Sequence, residues 1–214
     1  MTKTDKQQLA KRQSIIDHCR WMNDHGLNQG TSGNISVRLD DGWLMTPTGS
    51  SLGDLDPARI SRLDGQGRHT GGDRPTKETF LHQGMYRMRD DARAVVHLHS
   101  THSVAVSCLD GIDPADVIPP LTAYYVMRVG TLPLVPYFPP GDQALGPAVE
   151  ALAGRHHAVL LANHGPVVAG RSLEDAVYAM EELEETARLY LLLHDRPIHP
   201  LTPEQVAELK ARFG

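Results

Sequence analysis

Ala94-Val95-Val96-His97-Leu98-His99-Ser100 sets two histidines one residue apart behind a short apolar run. Side chains alternate faces along a strand, so residues i and i+2 point the same way. His97 and His99 then project together while Val96 and Leu98 face the core. Two neutral imidazoles on one face suit adjacent positions around a divalent metal; the plainer alternative is two polar residues on a half-exposed strand. His164 is the candidate third ligand. It ends an apolar strand, directly before Gly165 and Pro166, and ligands of α/β folds bind at strand ends. Its alternative is a histidine that caps a turn. Three histidines leave an open coordination position, as catalytic zinc sites do, from which a metal polarises a substrate oxygen. Such chemistry needs a proton-transfer group. Glu78, opening a helix in Pro75-Thr76-Lys77-Glu78, is the candidate, although a glutamate in a first helical turn also serves the helix dipole alone.

A second chemistry lies in two small-residue loops, Gly30-Thr31-Ser32-Gly33-Asn34 and Thr46-Pro47-Thr48-Gly49-Ser50-Ser51. Glycines let backbone N–H groups converge, hydroxyls add donors, and the free N–H groups of a helix start near Thr76 and Lys77 do the same. Together they suit a phosphate. Neither loop matches a P-loop or a dinucleotide fingerprint, and each alone reads as a turn.

The chain has 12 histidines, and each needs its own context. His102, three residues past His99, is the rival ligand but falls in the following helix. His156 and His157 precede their strand, at the opposite end from His164. His18, His25, His69, His82, His194 and His199 lack supporting context and read as surface residues. The formal net charge of −5 argues against a nucleic-acid surface. The polar start MTKTDKQQ lacks the apolar core of a signal peptide, and no apolar run approaches the length of a membrane span. Cys19 and Cys108, the only cysteines, read as reduced thiols of a cytoplasmic protein.

The elements that must position these residues follow from periodicity and caps. Helices are expected over 6–24, 77–88, 101–108 and within 143–154. A long helix to about Leu193 starts from a Ser172/Asp175 cap, and a short last helix starts from Thr202, Pro203 and Gln205. Ile35, Val37 and Leu39 share one strand face and Ser36 and Arg38 the other; Asp40-Asp41-Gly42 turns that strand into Trp43–Thr46 as a hairpin. Residues 65–75 read as loop, 94–99 as strand and 113–141 as irregular. Within the last, Leu132–Tyr137 suits a sheet edge because Pro133 and Pro136 interrupt it. His157–Gly170 reads as strand, loop, strand. Glu181, Glu182, Glu184 and Glu185 read as a solvated helix face or a subunit contact. The order predicts one α/β domain over residues 1–214 with a sheet between helices.

Taken in order, "TSGNIS", "TPTG", "PTKE", "VVHLHS" and "NHG" resemble the class II aldolase/adducin family, from about residue 8 to residue 195. The resemblance implies an αβα sandwich with a central, mostly antiparallel sheet. It implies a homotetramer with active sites between subunits. His97, His99 and His164 would bind one divalent metal per subunit, usually zinc, with manganese or cobalt as alternatives. Glu78 would be the acid/base and at times a fourth ligand. Asn34, Thr48 and Gly49 fall at phosphate-contacting positions, and Tyr124 where a neighbouring subunit's tyrosine enters, with Tyr125 adjacent. Within the family, "PPLTAYYVMRVGTLPLVPYFPPGD", "LLANHGPVVAG" and "AMEELEETARLYLLL" look most like the branch that decarboxylates 3-oxo-tetronate 4-phosphate through a metal-stabilised enediolate. Where aldolases and epimerases of the family carry two small hydroxyl residues before the carboxylate, this chain has Thr76-Lys77. Lys77 adds a cation for a phosphate or carboxylate; the alternative is a solvated helix-start residue. The expected partner is a small phosphorylated sugar acid, with no nucleic acid and no membrane. Two other functions stay open: a sugar-phosphate aldolase or epimerase, and a non-catalytic interaction domain such as adducin's.

Overall fold

The computed structural model describes residues 3–213; Met1, Thr2 and Gly214 lie outside the described residues. Eight strands form one sheet: β1 (Asn34–Leu39), β2 (Gly42–Met45), β3 (Ser61–Asp64), β4 (His69–Gly71), β5 (Ala94–His97), β6 (Leu134–Val135), β7 (Ala158–Leu161) and β8 (Gly165–Gly170). Their spatial order is β4-β3-β2-β1-β5-β8-β7-β6. Neighbours are antiparallel except β6 with β7. The helices are α1 (Lys3–Asp24), α2 (Thr79–Met88), α3 (Thr101–Ser107), α4 (Ala123–Arg128), α5 (Leu145–Ala153), α6 (Leu173–Leu192) and α7 (Pro203–Phe213).

Alternation along the strands creates two cores. Ile35, Val96, Leu98 and Val168 pack on one face against Ile15 and Met22 of α1 and Ala176 and Met180 of α6. Val95, Val159 and Val167 pack on the other against Leu81 and Met85 of α2 and Leu145 and Val149 of α5. Helices therefore cover both faces, and the architecture is the αβα sandwich with a mostly antiparallel sheet. Two caps form as the residue types dictate. Ser172 Oγ accepts from Asp175 N at 3.0 Å. Thr202 and Gln205 bond reciprocally, Gln205 Oε1 accepting from Thr202 N at 2.9 Å and Thr202 Oγ1 from Gln205 N at 3.4 Å. The Leu132–Tyr137 piece contributes β6, a sheet edge as its prolines require.

Four expectations are corrected. Residues 69–71, read as loop, form β4, and Ser61–Asp64 forms β3. Both are short and largely polar, so no alternation marks them; pairing such as Trp43 with Leu63 makes them strands. The irregular 113–141 segment contains α4, started by Thr122 Oγ1 accepting from Tyr125 N at 3.0 Å. β5 ends at His97, so His99 lies just past the strand. Glu184 is not a solvated residue but is buried. Its carboxylate accepts from the Ser103 backbone and hydroxyl at 2.9 and 2.7 Å and caps the free N–H groups that start α3.

Candidate metal centre and phosphate cavity

The sheet order brings the ligands together. β5 lies between β1 and β8, with Asn34 opposite His97 and His97 opposite Val167. The β7–β8 turn carries Asn163 in the left-handed region (φ 55°), a conformation asparagine tolerates. Gly165 follows because a Cβ there would meet Leu98 O at 2.3 Å. That close approach seats His164 beside His99. On the other side Glu78 is the N-cap residue of α2, the helix lying over the same sheet face as Val95 and His97.

Glu78, His97, His99 and His164 offer ligand atoms within 4.8 Å of one another. His99 Nε2 stands 3.2 Å from His97 Nε2 and 3.1 Å from His164 Nε2. The Glu78 oxygens stand 3.5 Å from His97 Nε2 and 3.3 Å from His164 Nε2. A tetrahedron with metal–nitrogen bonds of 2.0–2.1 Å has edges of about 3.3 Å, so the donor spacing fits a single first-row divalent cation. Tautomers fit as well. His97 Nδ1 lies 2.8 Å from Pro166 O. A carbonyl only accepts, so Nδ1 carries the proton and Nε2 turns a bare lone pair into the cluster. His102, the rival, is turned away with its Nδ1 2.8 Å from Glu184 Oε1.

Protonation follows from the same contacts. Burial by itself raises the Glu78 carboxyl. The His97 and His164 imidazoles and a 2.7 Å hydrogen bond from Asn34 Nδ2 more than offset that, holding it well below the usual carboxylate range. Burial pushes His97 down and His99 down to about 4. Glu78 is thus an ionised carboxylate, and burial favours the neutral imidazoles of His97 and His99, the states that metal ligation requires.

Asn34, Thr48, Gly49, Thr76 and Lys77 line one cavity of about 320 Å³ together with Glu78 and His99. Its glycine wall is tightly made: Gly33 has φ 76° and a Cβ there would meet Asn28 Oδ1 at 2.7 Å. Among the described residues Lys77 makes no ion pair, and its ammonium is free to meet an anion. Tyr124 lies elsewhere in its own chain, in a groove with Arg128 and Tyr178. It is 62% exposed, whereas Tyr125 is 1% exposed, so only Tyr124 can reach another chain.

His82 overturns its sequence reading. It is fully buried, with Nε2 2.5 Å from Asn34 Oδ1 and Nδ1 2.7 Å from Ser36 Oγ. The available signal was its place four residues after Glu78, on the same helix face. Burial lowers it to about 3. Both His82 and His99 thus titrate below their unfolded value of about 6.5. As pH falls from about 6.5 toward 4 the unfolded chain binds protons that the folded chain refuses, so stability is full above that window and declines within it. The chelated protein should therefore show a lower urea midpoint at pH 5 than at pH 7.5. Equal midpoints would remove this account.

Residues 13–191 match the family described as Class II Aldolase and Adducin N-terminal domain. The chain is 52% identical over 187 residues to a 3-oxo-tetronate 4-phosphate decarboxylase of Escherichia coli strain K12, covering 87% of this chain and 88% of that one. It is 37% identical over 213 residues to an L-fuculose phosphate aldolase of the same strain, covering 98% and 95%. The crystal structure of YgbL from Escherichia coli superposes with a TM-score of 0.93 at 46% identity, covering 95% of this chain and 99% of that one. The histidine–glutamate cluster and the cavity thus sit in a fold shared along almost the entire chain, which belongs to the class II aldolase/adducin family.

Proposed function

We propose that the chain is a metal-dependent carboxy-lyase that converts 3-oxo-tetronate 4-phosphate to dihydroxyacetone phosphate and CO₂. The observation that carries this reading is a four-donor metal set, two of whose members, Glu78 and His99, line one cavity with an unpaired lysine and a hydroxyl–glycine anion cradle. The decarboxylase relative, more similar than the fuculose-phosphate aldolase, supports decarboxylation over aldol cleavage. A full donor set bordering a phosphate-type cavity also disfavours a non-catalytic interaction domain.

Thr48, Gly49 and Thr76 hold the 4-phosphate, and Asn34 bounds the cavity beside Glu78. Lys77 offsets the negative charge of the acid phosphate. His97, His99 and His164, with Glu78 adjacent, would hold a divalent cation, which would supply Lewis-acid stabilisation of negative charge on the C3 carbonyl oxygen; three imidazole ligands favour zinc, with manganese or cobalt as alternatives. The C1–C2 bond breaks, its electron pair passes toward the C3 oxygen, and CO₂ leaves. The net reaction consumes one proton. Glu78, ionised at rest, relays that proton, drawn from bulk solvent, to C2. Tyr124 completes the site from a neighbouring subunit of a homotetramer, a reading supported by its exposure. The continuous sheet supports one domain over 1–214, and two free cysteines support a cytoplasmic setting. No helix among the described residues is long and apolar enough to cross a membrane.

The test is turnover of 3-oxo-tetronate 4-phosphate with and without chelator, coupled to detection of dihydroxyacetone phosphate. Release of CO₂ that chelator stops and added Zn²⁺ restores is expected. Aldehyde release from a longer ketose phosphate, with none from the acid phosphate, would replace this reading by an aldolase. Lys77→Met should raise KM for the acid phosphate about tenfold, as loss of a charge-assisted contact predicts. An unchanged KM and kcat would end the role given to Lys77.

A further inference from the structure

A row of buried hydrogen bonds behind Glu78 takes no part in the chemistry above. Two strand residues advance about 6.6 Å and four helix residues about 6.0 Å. The polar face of β1 (Asn34, Ser36, Arg38) therefore keeps step with one face of α2 (Glu78, His82, Tyr86). Asn34 Nδ2 donates to Glu78 Oε2 at 2.7 Å, and Asn34 Oδ1 lies 2.5 Å from His82 Nε2. Ser36 Oγ lies 2.7 Å from His82 Nδ1 and 2.8 Å from Tyr86 Oη. At the far end an Arg38 N–H donates to the Tyr86 carbonyl at 2.6 Å. Asn34, Ser36, His82 and Tyr86 are all buried.

Every direction in this row is forced by donor chemistry. An ionised carboxylate only accepts, so Asn34 turns its NH₂ to Glu78 and its oxygen to His82. That oxygen accepts, so His82 carries its proton on Nε2. Nδ1 is then bare, the Ser36 hydroxyl donates to it, and Tyr86 donates to Ser36. Rotating the Asn34 amide by half a turn would set its oxygen against the carboxylate and its NH₂ against the imidazole N–H.

We infer that His82 is a positioning residue: through Asn34 it holds Glu78 Oε2 in place and leaves Oε1, beside His164, as the oxygen that exchanges the proton. The inference rests on Glu78 as the proton carrier of the proposed reaction, and two of its readouts need no turnover. The test compares wild type with His82→Leu, which fills similar space without polar atoms, and His82→Gln, which keeps a donor. In His82→Leu, kcat should fall about 10–100-fold and the Zn²⁺ dissociation constant should rise about tenfold, with KM within twofold. His82→Gln should recover a large part of both. Imidazole ¹⁵N NMR of the wild type should show His82 neutral and protonated on Nε2, with and without Zn²⁺. Wild-type kcat and Zn²⁺ affinity in folded His82→Leu would overturn the inference, as would a proton on Nδ1. Should His82→Leu not fold, Ser36→Ala replaces it and should shift the His82 tautomer mixture and lower kcat; unchanged values of both would overturn it. Failure to release CO₂ with the tautomer and the Zn²⁺ effect intact would count against the decarboxylase reading alone.

Discussion

Glu78→Gln should lower kcat for 3-oxo-tetronate 4-phosphate about 10²–10⁴-fold, the usual range for loss of a positioned proton-transfer group. The amide keeps the shape of the carboxyl. Its oxygen still accepts from Asn34, so the fold and the cavity persist. What disappears is the ability to take up a proton and hand it to carbon. KM should move little, because the phosphate cradle of Thr48, Gly49 and Thr76 is untouched, and the three imidazoles still retain metal. The measurements are steady-state kinetics on metal-loaded protein, metal content by elemental analysis and a thermal melt. A kcat within threefold of wild type at full metal occupancy would remove Glu78 from the chemistry.

His99→Ala and His97→Ala should both abolish metal retention and with it activity, about 10³-fold or more, since a metal supplies several kcal/mol of charge stabilisation and each 1.4 kcal/mol or so is tenfold in rate. Their stabilities should differ. His99 is half-buried at the cavity wall, so its truncation opens onto solvent and the chelated variant should melt near wild type. His97 is fully buried and donates to Pro166 O. Its truncation removes the shorter of two hydrogen bonds to the Pro166 carbonyl, Leu98 N remaining at 3.4 Å, a loss of about 0.5–1.5 kcal/mol, and opens a void beside Val95 and Val167 that lowers stability further. Metal titration and urea unfolding of both chelated variants separate the effects. Full Zn²⁺ content in His99→Ala would show that the triad does not hold the metal.

Much of this molecule is readable along the chain because the rules involved are short-range. The alternation in Asn34–Leu39, the caps at Ser172 and Thr202 and the apolar stripe of α6 each depend on residues a few positions apart. The same holds for the chemistry of the ligands: imidazoles one residue apart, a histidine before Gly165 and a carboxylate after Thr76-Lys77 are visible as types and spacings. Where β3 and β4 run was not readable, since the short and largely polar β3 becomes a strand only when β2 offers it a ladder. Nor was the burial of His82 and Glu184 visible. Each polar side chain is satisfied by partners far away in sequence, His82 by Ser36 and Asn34 and Glu184 by His102 and Ser103, and no local pattern reports a long-range partner.

The sequence by itself determined which groups are available for metal, phosphate and proton chemistry, and the local elements that carry most of them. Only the tertiary structure decided that they meet. Setting β5 between β1 and β8 and laying α2 across the same face brings residues 34, 78, 97, 99 and 164 to one point. The packing then selected the tautomer of His97 and the charge of Glu78, because burial and forced hydrogen-bond directions act on groups whose neighbours are chosen by the fold.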